Sequence, residues 1–210
     1  MFVEIVDALR CPRDHEESWL VLAAQQTEER HVLEGTLGCP VCRAEYPIHQ
    51  GVADFTDAAT TLAPSGTLHA LPPADHAAAM LNLGDALGFV VLTGVWGTRA
   101  DELIETIDAP PLLLVDPPAG VAMGRGLSGL RAGVKLPLAT GAARAVATDA
   151  TDPARVAEAA RVARVGGRIV APAAAPVPEG VRELVRDDTV WVGERQPLPS
   201  APVTLHVRRG

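Results

Sequence analysis

Apolar residues at positions 2, 3, 5, 6 and 9 open the chain in a helical rhythm, and Cys11-Pro12 brings it to an end. Short runs of strand character follow at Trp19–Ala23, Val32–Leu37 and Tyr46–Phe55. From Asp57 to Pro73 the periodicity is lost and turn-forming residues dominate. The sequence therefore divides into a small domain at residues 1–57, a linker at 58–73 and a larger domain at 74–210. In the larger part the pattern alternates. Ala74–Leu87 reads as a helix, Gly88–Thr93 as an apolar strand, and Arg99–Asp108 as a helix with Leu103, Ile104 and Ile107 on one side. Strands are expected at Pro111–Val115 and Arg144–Thr148, a helix at Pro153–Val165 and a strand at Gly167–Ala171. Alternation of this kind predicts an α/β protein with a mostly parallel sheet covered on both faces. Thr189–Val192 and Val203–Val207 are expected to close it as an antiparallel hairpin.

Charge sharpens this division. The chain has 210 residues, 48% of them apolar, and a formal net charge of −8. Residues 1–57 hold eleven acidic and four basic side chains, whereas residues 58–210 hold fifteen and fourteen, so the acidity belongs to the small domain. Phosphates are repelled by such a surface, and with seven aromatics in the chain there is little for bases to stack on, which disfavours nucleic acid as a partner. The longest apolar run, Ala86–Gly97, falls short of the roughly 20 residues of a membrane-spanning helix. Glu4 and Asp7 stand where a signal peptide carries positive charge, so a cytoplasmic location is expected. There, cysteines are read first as thiols or metal ligands.

Those cysteines are three: Cys11, and the knuckle Cys39-Pro40-Val41-Cys42. Two facing knuckles hold zinc with four thiolates in a zinc ribbon. Here the first knuckle, Cys11-Pro12-Arg13-Asp14-His15, has Asp14 at the position of its second thiolate and His15 one residue later. The fourth ligand is thus Asp14 or His15, or else the thiols are small buried hydrophobes. A helix running into Cys-Pro, a second Cys-Pro-x-Cys, Tyr46-Pro47-Ile48 and Gly51–Phe55 together resemble the zinc-ribbon family of methyltransferase activators. That resemblance implies a domain that binds and stabilises methyltransferase partners.

The larger part resembles a class I S-adenosylmethionine-dependent methyltransferase. The likeness rests on Leu136–Val146, on Asp152-Pro153-Ala154-Arg155 and on Glu158–Arg168, which in that family form the fourth strand, the next helix and the turn into the fifth strand. These segments speak for a fold more than for a chemistry. The family places a Gly-rich turn after its first strand, where backbone approaches the methionyl part of the cofactor, and an acid after its second strand for the ribose hydroxyls, as in dinucleotide sites. Here the turn reads Thr93-Gly94-Val95-Trp96-Gly97-Thr98. Only Gly94 and Gly97 remain, the acid expected near Thr93 is missing, and Trp96 is expected to fill the cofactor space. Asp116 occupies the ribose position, although Asp116-Pro117-Pro118 also reads as a turn in which Asp satisfies local donors.

Asp149, after the fourth strand, is a candidate near the methyl-transfer position, and Asp152 with Pro153 reads as a helix N-cap. Gly166 and Gly167 are expected to end that helix. His31, His49, His69, His76 and His206 lack partner spacing, Ser65-Gly66 and Ser128-Gly129 lack the setting of a nucleophile elbow, and Trp191 reads as core. No residue is assigned to catalysis. The sequence therefore predicts a methyltransferase-like pseudoenzyme that acts as an interaction or assembly subunit, with protein partners in a larger complex. An active S-adenosylmethionine-dependent methyltransferase is the alternative.

Overall fold

The computed structural model describes residues 1–56, 71–84, 87–106, 110–124 and 126–197. The linker expected at 58–73, most of it, and the strand expected at Val203–Val207 lie outside these residues, as do Ser65, Gly66, His69 and His206. The first helix, α1, is a single turn, Val3–Val6. It ends earlier than the apolar rhythm suggests because Leu9 and Arg10 turn extended and bridge to Leu138 and Trp19. Three strands then run antiparallel as a meander: β1 (Val21–Glu28), β2 (His31–Gly38) and β3 (Glu45–His49). The expected run Tyr46–Phe55 is two elements, because Gln50 and Gly51 both take positive φ and turn the chain back into β4 (Val52–Asp54).

α2 (Ala74–Met80) and β5 (Val90–Thr93) follow, then a turn of 3₁₀ helix at Gly94–Arg99 that leads into α3 (Ala100–Thr106). β6 is Leu112–Val115 and β7 is Leu127–Arg131. The pattern did not predict β7, because Ser128 and Gly129 interrupt its apolar signature. β8 (Ala143–Ala147) precedes α4 (Pro153–Val162), whose N-terminus is capped as expected: the Asp152 carboxylate accepts from the amides of Ala154 and Arg155. α4 stops three residues before the expected end. Its C-cap, Ala163, already has extended backbone, and Gly166 and Gly167 lie within β9 (Ala163–Pro172), in a register break against β8. β10 (Val181–Arg186) and β11 (Val190–Arg195) form the antiparallel hairpin, so the partner of the Thr189–Val192 run lies upstream of it.

The eleven strands among the described residues join one sheet in the order β1-β2-β3-β4-β7-β6-β5-β8-β9-β11-β10. Strands β4 to β9 are parallel to their neighbours across β4-β7-β6-β5-β8-β9, and the hairpin attaches antiparallel through β11. This is the α/β, methyltransferase-like sheet expected, with its parallel core and antiparallel end. The register Val52↔Gly129, Ala53↔Leu130 and Asp54↔Arg131 makes the N-terminal meander continuous with the parallel core. Gly129 is required at this crossing, since a Cβ there would lie 2.9 Å from the Val52 side chain and 3.1 Å from the Met123 sulfur.

Successive residues of the parallel strands point to opposite faces, and both faces are buried. One face packs Val91, Leu113, Leu130 and Val146 with Val156 and Ala159 of α4, and runs on without a break into Ile5, Leu9, Leu37 and Ile48 of the N-terminal part. The other packs Leu92, Leu112 and Leu114 against Ala77 of α2, Leu81 just after it and Leu103 of α3. Trp96 lies in this second layer, fully buried. Truncating it removes the largest side chain of that layer. Trp96→Ala is expected to destabilise the fold by about 3–5 kcal/mol in chemical denaturation, and a loss under ~1 kcal/mol contradicts the packing described.

Candidate functional site

Two places gather chemistry-bearing side chains. The first is the cysteine cluster. Cys11 follows the extended Leu9-Arg10 segment, while Cys39 and Cys42 sit in the tight turn between β2 and β3, closed by the Arg43 amide donating to the Cys39 carbonyl. Arg43 has φ +58, the left-handed backbone this knuckle needs. One ligand atom from each of Cys11, His15, Cys39 and Cys42 can be chosen so that all lie within 4.8 Å of one another. His15 thus completes the group with the three thiols, and Asp14 is not a member of it.

The donor set fits zinc. The Cys11 and Cys42 sulfurs are 3.7 Å apart, and a tetrahedron with Zn–S bonds of about 2.3 Å has S–S edges of roughly 3.8 Å. His15 donates from Nδ1 to the Glu16 carbonyl at 2.6 Å, while Nε2 lies 3.4 Å from the Cys39 sulfur. With the Nδ1 proton on the carbonyl, Nε2 presents its lone pair to the cluster, the outer-sphere arrangement common to metal-bound histidines. Burial alone raises the Cys39 thiol, yet amides of Cys42 and Val41 and the thiols of Cys42 and Cys11 bring it down to about 6. Burial raises Cys11, which also contacts the Tyr46 hydroxyl at 3.3 Å. A closed set of four ligands from the protein would give a bound zinc a structural role, tying α1 to the β2–β3 turn.

The second place is a crevice of about 310 Å³ at the carboxyl ends of β5, β6 and β8. It lies where the strand order reverses, between β5 and β8, the position at which open α/β sheets bind ligands. Thr93, Gly94, Asp116, Pro118, Asp149 and Arg155 are among its lining residues. Trp96 is not; the 3₁₀ turn directs its indole into the second apolar layer, correcting the expectation that it fills this space.

Other groups stand against its glycine turn instead. A Cβ on Gly94, whose φ is +56, would come within 2.1 Å of the Asp149 carboxylate. That carboxylate accepts from the Val95 amide at 3.0 Å and from the Thr93 hydroxyl at 3.4 Å. Gly97 is closed in the same way, since a Cβ there would meet the Pro118 ring at 2.8 Å. Sequence reasoning placed Asp149 at the end of its strand but missed its partner, because the contact joins residues more than fifty positions apart.

Asp116 is turned inward. Its φ is +51, and Oδ1 accepts from the Ala132 amide at 3.3 Å, a donor sixteen residues away, where the turn reading expected local ones. Burial holds its carboxyl above the ordinary range, against the pull of the Ala132 amide, Arg155 and Arg131. The remaining candidates serve the fold. Trp191 is buried and donates from Nε1 to the Ala175 carbonyl; Ser128 accepts from the Phe2 amide; His31 is buried with its ring against Phe2; His49 pairs with Glu34; His76 is exposed.

A scan against protein-family models and a search of curated proteins return no match. Among solved structures, the chain is similar to one in the complex between the Haloferax volcanii Trm112 methyltransferase activator and a protein described as a methyltransferase. The identity is 14%, over 61% of this chain and 90% of that one, with a TM-score of 0.49. The antibiotic-resistance methyltransferase Kmr is similar at 16% identity over 63% of this chain and 97% of its own, with a TM-score of 0.41. The fold assignment rests on the strand order and register described above. No helix among the described residues is long and apolar enough to cross a membrane.

Two measurements follow from the geometry. Elemental analysis after purification should find one zinc per chain, lost in Cys42→Ser and in His15→Ala and retained in Asp14→Ala; retention in His15→Ala contradicts the ligand set. For Asp116, a raised folded value means that its proton stabilises the fold at low pH and that this benefit disappears as pH rises through the folded value. Ionised Asp116 is therefore costly at neutral pH. Asp116→Asn, which keeps an acceptor for the Ala132 amide and tolerates the positive φ, should raise Tm at about pH 7 and lose that advantage below about pH 4. A lower Tm at neutral pH contradicts it.

Proposed function

We propose that this protein is a methyltransferase-like subunit without methyl-transfer activity, built from an activator-type zinc ribbon joined to a class I methyltransferase sheet, and that it works through protein association. One observation carries the reading: both glycines that would admit a cofactor are closed by the chain's own side chains, Gly94 by Asp149 and Gly97 by Pro118. The methionyl end of S-adenosylmethionine carries a carboxylate. It would meet an anionic Asp149 that already holds the Val95 amide, so it would lose a donor and gain a like charge. Asp116, the ribose candidate, spends one carboxylate oxygen on the Ala132 amide. These residues do not fit the cofactor, and no catalytic role is assigned to any of them.

A second reading has one observation in its favour. The crevice remains at the switch point with Asp116 in its wall, so an active methyltransferase would have to bind its cofactor there with Asp149 displaced.

Isothermal titration separates the two. The native protein should give no binding of S-adenosylmethionine tighter than about 1 mM, and Asp149→Ala should bind more tightly than the native chain, since it frees the Val95 amide. Micromolar binding by the native protein overturns the proposal.

A further inference from the structure

The sheet is not covered evenly. Leu37 and Ile48 face the core beneath α1, whereas the opposite face of β1–β4 is open. The ladders set neighbours on that open face: Val21, Gly38 and Glu45 form one row, and Ala23, Thr36 and Pro47 the next. Val21, Ala23, Glu45 and Pro47 are exposed, and Val21 keeps 63% of its surface in solvent. Trp19, two residues ahead of Val21, is 62% exposed. Exposed Val21 and Trp19, the latter with the Arg10 guanidinium over its ring at 4.3 Å and that cation paired with Glu17, lie beside small, low side chains and make a shallow apolar strip, which isolated exposed residues would not.

Next to this strip lies a cavity of about 610 Å³ lined by Glu34, His49, Val52, Asp54, Met123 and Arg131, among others. Met123 forms its wall, coming close because Gly51 and Gly129 carry no side chain; a Cβ on Gly51 would lie 2.9 Å from the Met123 Cβ. Its charges are unequal. Glu34 and Asp54 face a single guanidinium, that of Arg131, which is 4.0 Å from Asp54 and 62% exposed. His49 rests on Glu34 at 2.8 Å. Glu34 also accepts from the Gln50 amide, and that bond, followed by His49, holds its carboxyl below the usual range, so it stays ionised. Glu45 adds a further acid on the open face, within residues 1–57, which carry a net −7.

The geometry points to this face as the docking groove for a basic, partly apolar segment of a protein partner, its apolar side chains on Trp19, Val21 and Pro47 and a Lys or Arg side chain in the Glu34–Asp54 cavity. Charge complementarity selects the occupant. Acids on both sides of the apolar strip attract a cationic segment and repel an acidic one or a nucleic acid. The inference rests on the reading of the chain as an association subunit and names the surface; cofactor titration tests that reading independently of this one.

Two labelled peptides of about nine residues, one alternating Lys and Leu and one alternating Glu and Leu, serve as probes in fluorescence anisotropy against the full chain. The basic peptide should bind at least about tenfold more tightly than the acidic one, and its affinity should fall between about 50 and 300 mM salt. Glu34→Lys and Glu45→Lys should each weaken it by about fivefold or more. Asp188→Lys makes the same charge change in the β10–β11 turn at the far end of the sheet, and should leave binding within about twofold. Glu34→Gln, which preserves an acceptor for the Gln50 amide, guards against misfolding and should also weaken binding. Equal affinity for both peptides, or equal effects of Glu45→Lys and Asp188→Lys, overturns the assignment.

Discussion

The parallel pairing of Val52–Asp54 with Gly129–Arg131 is the constraint on which the rest of the molecule depends. Three residue pairs are a short ladder, and parallel pairing is not the stronger kind. It is secured by what surrounds it. Ala53 and Leu130 are fully buried, the Phe55 amide donates to the Arg131 carbonyl, and Leu9 bridges to Leu138 with both side chains enclosed. One apolar layer therefore extends from Ile5 and Ile48 to Val146 and Ile169. The edge that an activator-type domain could offer to a separate chain is paired here within the chain. The association proposed for this chain would then use another surface, the open side of β1–β4.

The same economy governs the crevice. A class I methyltransferase needs an unobstructed turn after its first strand. In this chain the turn is held by its neighbours: Asp149 from β8 on one side and Pro118 from the β6 loop on the other. Each contact stabilises the loop against the sheet and removes space or a donor that a ligand would use. Trp96, the residue that departs most from a glycine turn, contributes from behind by anchoring the 3₁₀ segment in the apolar layer. Stability of the loop and the proposed exclusion of the cofactor would come from one set of contacts.

The parallel core was legible because β5, β6 and β8 are apolar on both faces, and α4 because Asp152 and Pro153 mark its start. β7 was not, since Ser128 answers the Phe2 amide and Gly129 the approach of Val52, needs that only tertiary structure reveals. The true partner of β11 was missed for a similar reason: Arg182 and Glu183 make β10 polar, as suits an exposed edge strand, and so hide its alternation. At the cysteine cluster, spacing left Asp14 or His15 as the fourth candidate, and the fold of the Arg13–Glu16 turn brings the His15 imidazole, not Asp14, to the three thiols. Asp116 and Asp149 were singled out by the places that the family resemblance gives them, but what each carboxylate holds depends on residues distant in sequence.

The central claim is that the N-terminal meander and the parallel core form one cooperative sheet. Native-state hydrogen exchange tests it most directly. The account predicts that the Ala53 and Asp54 amides open with the same free energy as those of Leu113 and Val146 in the centre of the sheet, and with the same denaturant dependence. Exchange of β4 through a separate, lower-energy opening, while β5, β6 and β8 remain protected, would contradict it.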